Sequence, residues 1–390
     1  RLYLVGGVVR DVLLGRIGDH SDFDLTTDAP PDRIRRLIEG VADAVWLQGE
    51  KFGTIGARLG AHTFEITTHR AEAYLSDSRK PVVSFSTRLE DDLLRRDFTV
   101  NAMAFDVVDE TLHDPLGGQA DLDARLLRTP LAPEESFSDD PLRTLRAARF
   151  LAGYELTAAP GLLEAAGSVA ERLRIVSAER IRDELWRLFA LPDPGVGFAF
   201  LDEARLLPLL LPEVSDRSAE QRAEAFRRSV AAEPVPEVRL AALLLEMPAP
   251  ELDGRLRALR LSGEQRTNVL GLVSAVGRVR ERTDDGWSDE AVRRLAASAG
   301  DQLAATVALA TAAGVATGIL QTRLGALRAD GELDDLGPAL GGAEVIDLLG
   351  LEPGPDVGEA LAWLADLRFG EGRLDPDEEG RRLVAWWEGR

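Results

Sequence analysis

The run LVGGVVRD at residues 4–11 and the run DFDL at residues 22–25 decide the fold of the first part of the chain. The first run passes from apolar residues through two glycines into helical spacing, which predicts a strand, a tight turn and a helix. The second run predicts a short strand with Asp22 and Asp24 two residues apart, so that both carboxylates leave the same face. These two runs indicate a small domain of mixed strands and helices.

The glycine turn and the paired carboxylates together indicate chemistry on a nucleotide. Gly7 and its neighbour leave bare backbone N–H groups at a helix N-terminus, which favours phosphate binding, and Arg10 is placed to hold a triphosphate. Asp22 and Asp24, without Cys or His, suit Mg²⁺. One ion held there would activate an attacking hydroxyl, and a second would stabilise leaving pyrophosphate. Taken singly, each motif is also compatible with an ordinary strand–turn–helix corner or an exposed acidic pair.

The rest of the chain changes character with distance from this start. Residues 54–59 and 63–68 alternate as paired strands, whereas helical spacing dominates from about Ser138 onward. Ser262 with Gln265 resembles a capping box that opens a helix. The prediction is an α+β fold, with a small mixed-sheet head followed by all-α segments.

Composition narrows the class of protein further. The net charge is -21, yet residues 142–190 carry eight arginines against six acids, which permits a surface for RNA inside an acidic chain. The chain has no cysteine, so disulfides, thiolate nucleophiles and Cys-ligated zinc are excluded. No run resembles a signal peptide or a membrane span, and we expect a cytoplasmic protein.

Residues 4–26 resemble the core of the class II CCA-adding tRNA nucleotidyltransferases and their bacterial poly(A) polymerase relatives. Further runs match that family in its own order along residues 1–215: FGT at 52–54, EITT at 65–68, DLLRRDFTVNA at 92–102, DPLGG at 114–118, SDDPLRTLRAARF at 138–150, and ERI at 179–181 with Glu184.

The resemblance implies a division into a catalytic head (1–125), a neck with the base-selecting helix (126–200), a body (201–310) and a tRNA-contacting tail (311–390). It implies tRNA as partner, CTP and ATP as substrates, Mg²⁺ as cofactor, and no obligatory protein partner. It also assigns nucleotide contacts, some of them on the base-selecting helix, to Arg96, Asp140, Arg143, Arg146 and Arg149.

In the family, a carboxylate and a guanidinium select C and A. Asp140 is expected at the N-cap of that helix, with Pro141 at its first position and Arg143 on the same edge. A carboxylate accepts from the amino group of either base, while a guanidinium donates to the ring acceptors. Guanine and uracil mismatch both groups, at a cost of about 1–3 kcal/mol each.

The sequence leaves several alternatives open. Addition of A alone, addition of CC alone and poly(A) polymerisation use the same fold, although residues 57–62 lack the basic pair of the poly(A) polymerases. From another class, a non-catalytic RNA-binding protein would be expected to have lost Asp22 or Asp24. In the family, a flexible loop after the EITT strand helps the site switch from C to A. The resemblance implies that residues 70–84 form this mobile loop, which favours full CCA addition. Glu65 is a candidate third carboxylate.

Overall fold

Seven strands form one mixed sheet in the computed structural model, which describes the backbone of residues 1–16, 22–75 and 78–390 and the side chains outside 71–83. Their order across the sheet is β3-β4-β5-β2-β1-β8-β9. β2 and β5 pair in parallel, and the other neighbours are antiparallel. The strands are β1 (Leu2–Val5), β2 (Asp22–Thr27), β3 (Ala44–Trp46), β4 (Thr54–Leu59), β5 (His62–Thr68), β8 (Ala104–Asp106) and β9 (Thr111–His113).

Two smaller strand pairs complete the described β structure. β6 (Arg70–Leu75) and β7 (Ser78–Phe85) form an antiparallel hairpin, so the mobile loop expected over 70–84 is instead paired along most of its length. Residues 76 and 77 of that expected loop lie outside the described residues. β10 (Leu126–Leu127) pairs with β11 (Thr157–Ala158), a short strand within the region predicted to be all-helical.

The sheet has one apolar and one polar face near β2. Leu25 joins Ile34, Ile55 and Ile66 in a core cluster on the face that α2 (Pro31–Ile38) covers. Because strand side chains alternate, Asp22 and Asp24 leave the opposite face. The predicted strand, glycine turn and helix are confirmed as β1, the turn at Gly6 and α1 (Gly7–Leu13).

Helices occupy the remainder of the first compact unit, residues 1–222. α6 packs against α8 and α9, and these contacts hold the predicted base-selecting helix. These helices are α3 (Leu89–Leu94), α4 (Gly118–Asp123), α5 (Pro133–Asp139), α6 (Leu142–Gly153), α7 (Leu162–Ser168), α8 (Ala178–Phe189), α9 (Gly195–Glu203), α10 (Leu207–Leu210) and α11 (Pro212–Ser215).

The second compact unit, residues 223–390, consists of helices and turns. The predicted capping box is confirmed, since Ser262 accepts from the Gln265 backbone and Gln265 accepts from the Ser262 backbone. Its helices are α12 (Ala219–Ala231, which begins in the first unit), α13 (Pro236–Leu244), α14 (Ala249–Ala258), α15 (Gly263–Arg280), α16 (Asp289–Ala299), α17 (Leu303–Ala312), α18 (Gly318–Ala329), α19 (Gly342–Leu349), α20 (Pro355–Glu371) and α21 (Pro376–Glu388). None of the described helices is both long and apolar enough to cross a membrane.

Candidate active site

Three carboxylates share the polar face of the sheet. Asp22 and Asp24 lie on β2, and Glu65 stands directly opposite Asp24 on the parallel strand β5. Residues opposite one another in a sheet lie on the same face, so Glu65 shares the face of the two predicted metal ligands. All three side chains are exposed to solvent at one place on the sheet.

The electrostatics of this face favour a cation. Desolvation by the surrounding protein raises the pKa of Asp24, Arg96 opposes that rise, and the charge of Asp22 adds to it. Desolvation also raises the pKa of Glu65, with further contributions from Asp24 and Asp22. These carboxylates therefore repel one another, and a divalent cation between Asp22 and Asp24 would relieve the repulsion.

A donor set made only of carboxylate oxygens suits Mg²⁺. Among the described residues, no group of three or more His, Cys, Asp or Glu side chains is arranged to hold a metal ion. Two protein carboxylates are nevertheless a fitting donor set, because Mg²⁺ commonly keeps waters and takes substrate phosphate oxygens as its other ligands.

The glycine turn lies beside this acidic face. Gly6 has a φ of +77°, a conformation that glycine adopts readily and other residues rarely do. A Cβ at Gly6 would lie 3.2 Å from Nη1 of Arg96 and 3.5 Å from Oδ2 of Asp24. The bare backbone therefore lets a guanidinium and a carboxylate approach within a few ångströms of the turn.

Arg96 is held beside the turn by Asp92. Its Nη2 donates to Oδ2 of Asp92 at 3.1 Å, and Asp92 is fully buried. Its Nε is buried and has no hydrogen-bond partner. Its Nη1, which lies beside the Gly6 turn, is the donor placed for the predicted contact with a phosphate or ribose oxygen.

Arg10 is predicted to contact the triphosphate, but most of its N–H donors are hydrogen-bonded to other protein side chains. The residue is 5% exposed, and its guanidinium donates to Asp11, to Oδ1 of Asn101 at 2.5 Å, and to the hydroxyl of Tyr154. It also lies over the Tyr154 ring, 4.1 Å from the centroid. A Cβ at Gly7 would lie 3.3 Å from Arg10 Nη2, so this guanidinium supports the turn from beneath.

Arg96, which lies beside the turn, also lines a polar cleft of about 480 Å³. The cleft contains four of the predicted nucleotide contacts, Arg96, Asp140, Arg143 and Arg146. Seven arginines and four carboxylates line it, a net formal charge of +3 within a chain of -21. A local excess of arginine is well suited to a nucleoside triphosphate. Its charged lining is Arg70, Arg95, Arg96, Asp97, Asp140, Arg143, Arg146, Arg180, Asp183, Glu184 and Arg187.

The predicted base-selecting pair lies in this cleft, but in a different arrangement. α6 begins at Leu142 with Pro141 as its N-cap residue, one position later than predicted, and Asp140 Oδ1 accepts from the Leu142 backbone at 3.2 Å. Arg180 donates to the other carboxylate oxygen at 3.1 Å. Asp140 is thus oriented from both sides, and each of its oxygens keeps a lone pair for a base.

Arg143 is 6% exposed and does not bond to Asp140 through its side chain. Its Nη1 donates to the hydroxyl of Ser136 at 2.7 Å, and its Nη2 donates to the carbonyl of Arg95 at 2.5 Å. These bonds fix the guanidinium plane, and the Arg143 side chain still has further N–H donors. The two predicted base contacts are therefore held independently of each other.

A chain of hydrogen bonds connects the glycine turn to α6. Asn101, which accepts from Arg10, donates to Asp97 at 3.0 Å, and Asp97 in turn accepts two bonds from Arg146 at 2.9 and 2.5 Å. The pKa of Asp97 falls to about 2, because Arg146 and the bonds it receives outweigh the effect of burial, which alone would raise it. Glu184, 3% exposed on α8, continues the chain from Arg146.

Arg149 is the last residue in this series of hydrogen bonds, and it lies outside the cleft. Its Nε donates to Glu184 at 2.8 Å, and desolvation lowers the pKa of its guanidinium. It lines a neighbouring cavity beside Tyr154 instead. Its predicted contact with nucleotide is therefore the one that this geometry supports least.

Sequence reasoning missed several residues of the site. Arg180 and Arg187 lie in the cleft, and the run at 179–184 matched the family, which was the available signal for the first of them. Tyr154 and Asn101 support Arg10 from distant parts of the chain, and only Asn101 lay in a matched motif.

Comparison with known proteins identifies the family. Residues 2–128 match the family model of the poly A polymerase head domain, and residues 156–217 match that of a probable RNA and SrmB-binding site of polymerase A. A CCA-adding enzyme of Geobacillus thermodenitrificans (strain NG80-2) is 33% identical over 399 residues, which cover 98% of this chain and 92% of that enzyme. This chain belongs to the CCA-adding enzyme family.

Another member of the CCA-adding enzyme family, from Bacillus pumilus (strain SAFR-032), is 41% identical over 189 residues, or 48% of this chain and 45% of that enzyme. The crystal structure of the Bacillus stearothermophilus CCA-adding enzyme in complex with CTP is similar with a TM-score of 0.75 and 27% identity, covering 100% of this chain and 94% of that one. The Thermotoga maritima CCA-adding enzyme complexed with tRNA shares the fold, with a TM-score of 0.72 and 19% identity over 99% of this chain and 91% of that one. The predicted α+β fold is confirmed, and this nucleotidyltransferase family uses a divalent metal ion.

Proposed function

We propose that this protein adds C, C and A to the 3′ end of tRNA, using CTP and ATP. The RNA 3′ hydroxyl oxygen forms a bond to the α-phosphorus of the nucleotide as the bond from that phosphorus to the bridging oxygen breaks. Pyrophosphate leaves with the bonding electrons, and the hydroxyl proton passes to solvent. The observation that carries this proposal is the joint placement of Asp24, the Gly6 turn and Arg96 beside an arginine-lined cleft.

Asp22 and Asp24 would hold the divalent cation, and we propose Mg²⁺ because all the protein donors are oxygens. When bound, the metal would supply Lewis-acid activation of the hydroxyl and charge neutralisation at the phosphates. Arg96 provides the Nη1 end of its guanidinium, beside the Gly6 turn, to the triphosphate or ribose. Arg10 acts from beneath Gly7, where it holds the turn in the shape that receives phosphate.

Two residues of the cleft, Asp140 and Arg143, are assigned the selection of the incoming base. Asp140 accepts from the amino group of cytosine or adenine, and Arg143 donates to the ring acceptors beside it. Arg146 donates to Asp97 and Arg149 donates to Glu184, and these bonds hold the base-selecting helix α6 in position. The division into head, neck, body and tail, with a tail that contacts tRNA, is part of the same proposal.

The metal assignment is tested with Asp22→Asn and Asp24→Asn. Each variant should lose nucleotide transfer while keeping tRNA affinity, because the change removes a metal ligand and leaves the helical part of the chain intact. Filter binding to tRNA and incorporation of labelled CMP measure the two properties separately. The matched control is Glu171→Gln, a change at an exposed surface ion pair with Arg174. Near wild-type transfer in both aspartate variants would refute the site.

The template assignment is tested with Asp140→Ala and Arg143→Ala, each assayed with the four nucleoside triphosphates in turn. Discrimination against UTP and GTP should fall by more than the rate of CTP addition. Since Arg143 is buried, its variant must first show a normal thermal unfolding transition. Unchanged discrimination in both folded variants would contradict the roles given to these residues.

A further inference from the structure

One row of residues crosses four strands on the polar face of the sheet. Asp24 on β2 stands opposite Glu65 on β5, Glu65 opposite Gly56 on β4, and Gly56 opposite Trp46 on β3. Side chains that stand opposite one another lie on the same face. Trp46 therefore shares the face of the catalytic carboxylates, on the side of β2 away from the glycine turn.

Because Gly56 has no side chain, the Trp46 indole packs directly over its backbone. A Cβ at Gly56 would lie 1.9 Å from Nε1 of Trp46, 2.1 Å from Cε2 and 2.7 Å from Cδ1. The five-membered ring of the indole thus occupies the space above the glycine, and Trp46 remains 37% exposed. An exposed aromatic ring held on a sheet is a surface on which a nucleic-acid base can stack.

The spacing of the strands relates this ring to the reaction. Neighbouring strands lie about 4.8 Å apart, so Gly56 is roughly 10 Å from Asp24 across the sheet. A ribonucleotide spans a comparable distance from its 3′ oxygen to the far edge of its base. A nucleotide with its 3′ hydroxyl at Asp24 can therefore place its base over the Trp46 indole.

In the proposed function, the incoming nucleotide binds on the other side of Asp24. Arg96 and the turn at Gly6 lie there, toward β1. On the Trp46 side, the adjacent row of the same face runs Ala44–Arg58–Thr63–Asp22, and Arg58 is exposed. A single cation beside an aromatic ring suits a phosphodiester next to a stacked base.

We propose that Trp46, seated on Gly56, is the stacking platform for the 3′-terminal base of the RNA that receives the new nucleotide. This inference rests on the proposed function, since it assigns the binding place of the acceptor RNA at the same site. Trp46 positions the terminal nucleotide and takes no part in the chemistry. Stacking is tolerant of sequence because every base has an aromatic face, so the platform serves whichever nucleotide ends the RNA.

The test pairs a protein change with an RNA change. Wild type, Trp46→Ala and Trp46→Phe are assayed for C addition to a tRNA that lacks its CCA end, with either an intact or an abasic 3′-terminal nucleotide. Trp46→Ala should lower kcat/KM for the intact RNA roughly 5- to 150-fold, with the KM for CTP unchanged and a smaller loss for Trp46→Phe. On the abasic RNA, wild type and Trp46→Ala should differ by no more than about twofold.

Two further variants separate stacking from a structural effect. Gly56→Val should displace the indole and reproduce the Trp46→Ala pattern, whereas Leu47→Ala, which shortens the exposed neighbour of Trp46, should behave as wild type. Equal losses on intact and abasic RNA, or no loss on either, would overturn the platform. Failure of the wild type to extend the intact RNA would instead refute the proposed function, so the two outcomes are distinguishable.

Discussion

Replacement of Asp97 by Asn should break the middle of the hydrogen-bond chain that joins the glycine turn to α6. Asp97 accepts from Asn101 on one side and twice from Arg146 on the other. Asn keeps the size of the side chain but removes its charge. Arg146 then loses a charge-assisted partner in a place where its own side chain is only 29% exposed.

The size of the effect follows from the pKa of Asp97. A carboxyl group whose pKa falls from 3.8 to about 2 on folding contributes about 2 kcal/mol to the free energy of unfolding at pH 7. Arg146 keeps its bond from Nη1 to Glu184 at 3.4 Å, so the loss stays below the upper end of the about 3–5 kcal/mol that an uncompensated buried charge costs. We expect Asp97→Asn to lower the stability of the first unit by about 2–4 kcal/mol.

The assay is urea unfolding of wild type and variant between pH 3 and pH 8. Because the folded pKa of Asp97 is lowered, its contribution is fully present above about pH 4 and is lost as the pH falls toward 2. The stability gap should be constant from pH 5 to pH 8 and shrink below pH 4. The exposed Glu171–Arg174 pair provides the control, since Glu171→Gln should change stability by less than about 1 kcal/mol. A gap below about 1 kcal/mol at pH 7, or one that widens as the pH falls, would refute the reasoning.

Three further changes probe the same framework. Glu184→Gln should cost about 3 kcal/mol in urea unfolding, because Arg149 loses its buried charged partner; a cost near zero would contradict this. Tyr154→Phe removes the hydroxyl that accepts from Arg10 and should lower the free energy of unfolding by about 1 kcal/mol. It should also raise the KM for CTP; an unchanged KM would contradict the role of Arg10 in shaping the turn. Gly6→Ala should destabilise the protein by about 1 kcal/mol or more and severely reduce CMP incorporation, because alanine is strained at the positive φ of this position and its Cβ crowds the site; normal activity would count against the turn as a phosphate cradle.

Local patterns were sufficient for the elements that carry the carboxylates. A glycine pair between an apolar strand and a helix predicts a tight turn. Side chains two residues apart on a strand lie on the same face, so Asp22 and Asp24 share a face whatever the distant contacts are. The capping box at Ser262 is likewise local. These features were predictable because neighbours in sequence decide them.

The features that were mispredicted or missed depend on distant partners. Arg143 is held by a carbonyl 48 residues away, so its bonds do not follow from its place on a helix. Trp46 lies on a three-residue strand whose pairing with β4 gives it a role that its local pattern does not signal. Residues 70–84 have the polar, turn-forming composition of a loop, yet the strands at 70–75 and 78–85 pair with each other as a hairpin.

The central claim is tested most directly by sequencing the RNA products of the wild-type enzyme. Three tRNAs are incubated with CTP, ATP and Mg²⁺: one that lacks the CCA end, one that ends in CC, and one that is complete. The account predicts that the first gains CCA, the second gains a single A, and the third is unchanged. No extension at all, a stop after the second C, extension of the CC-ending tRNA alone, or an unbroken run of A would contradict it.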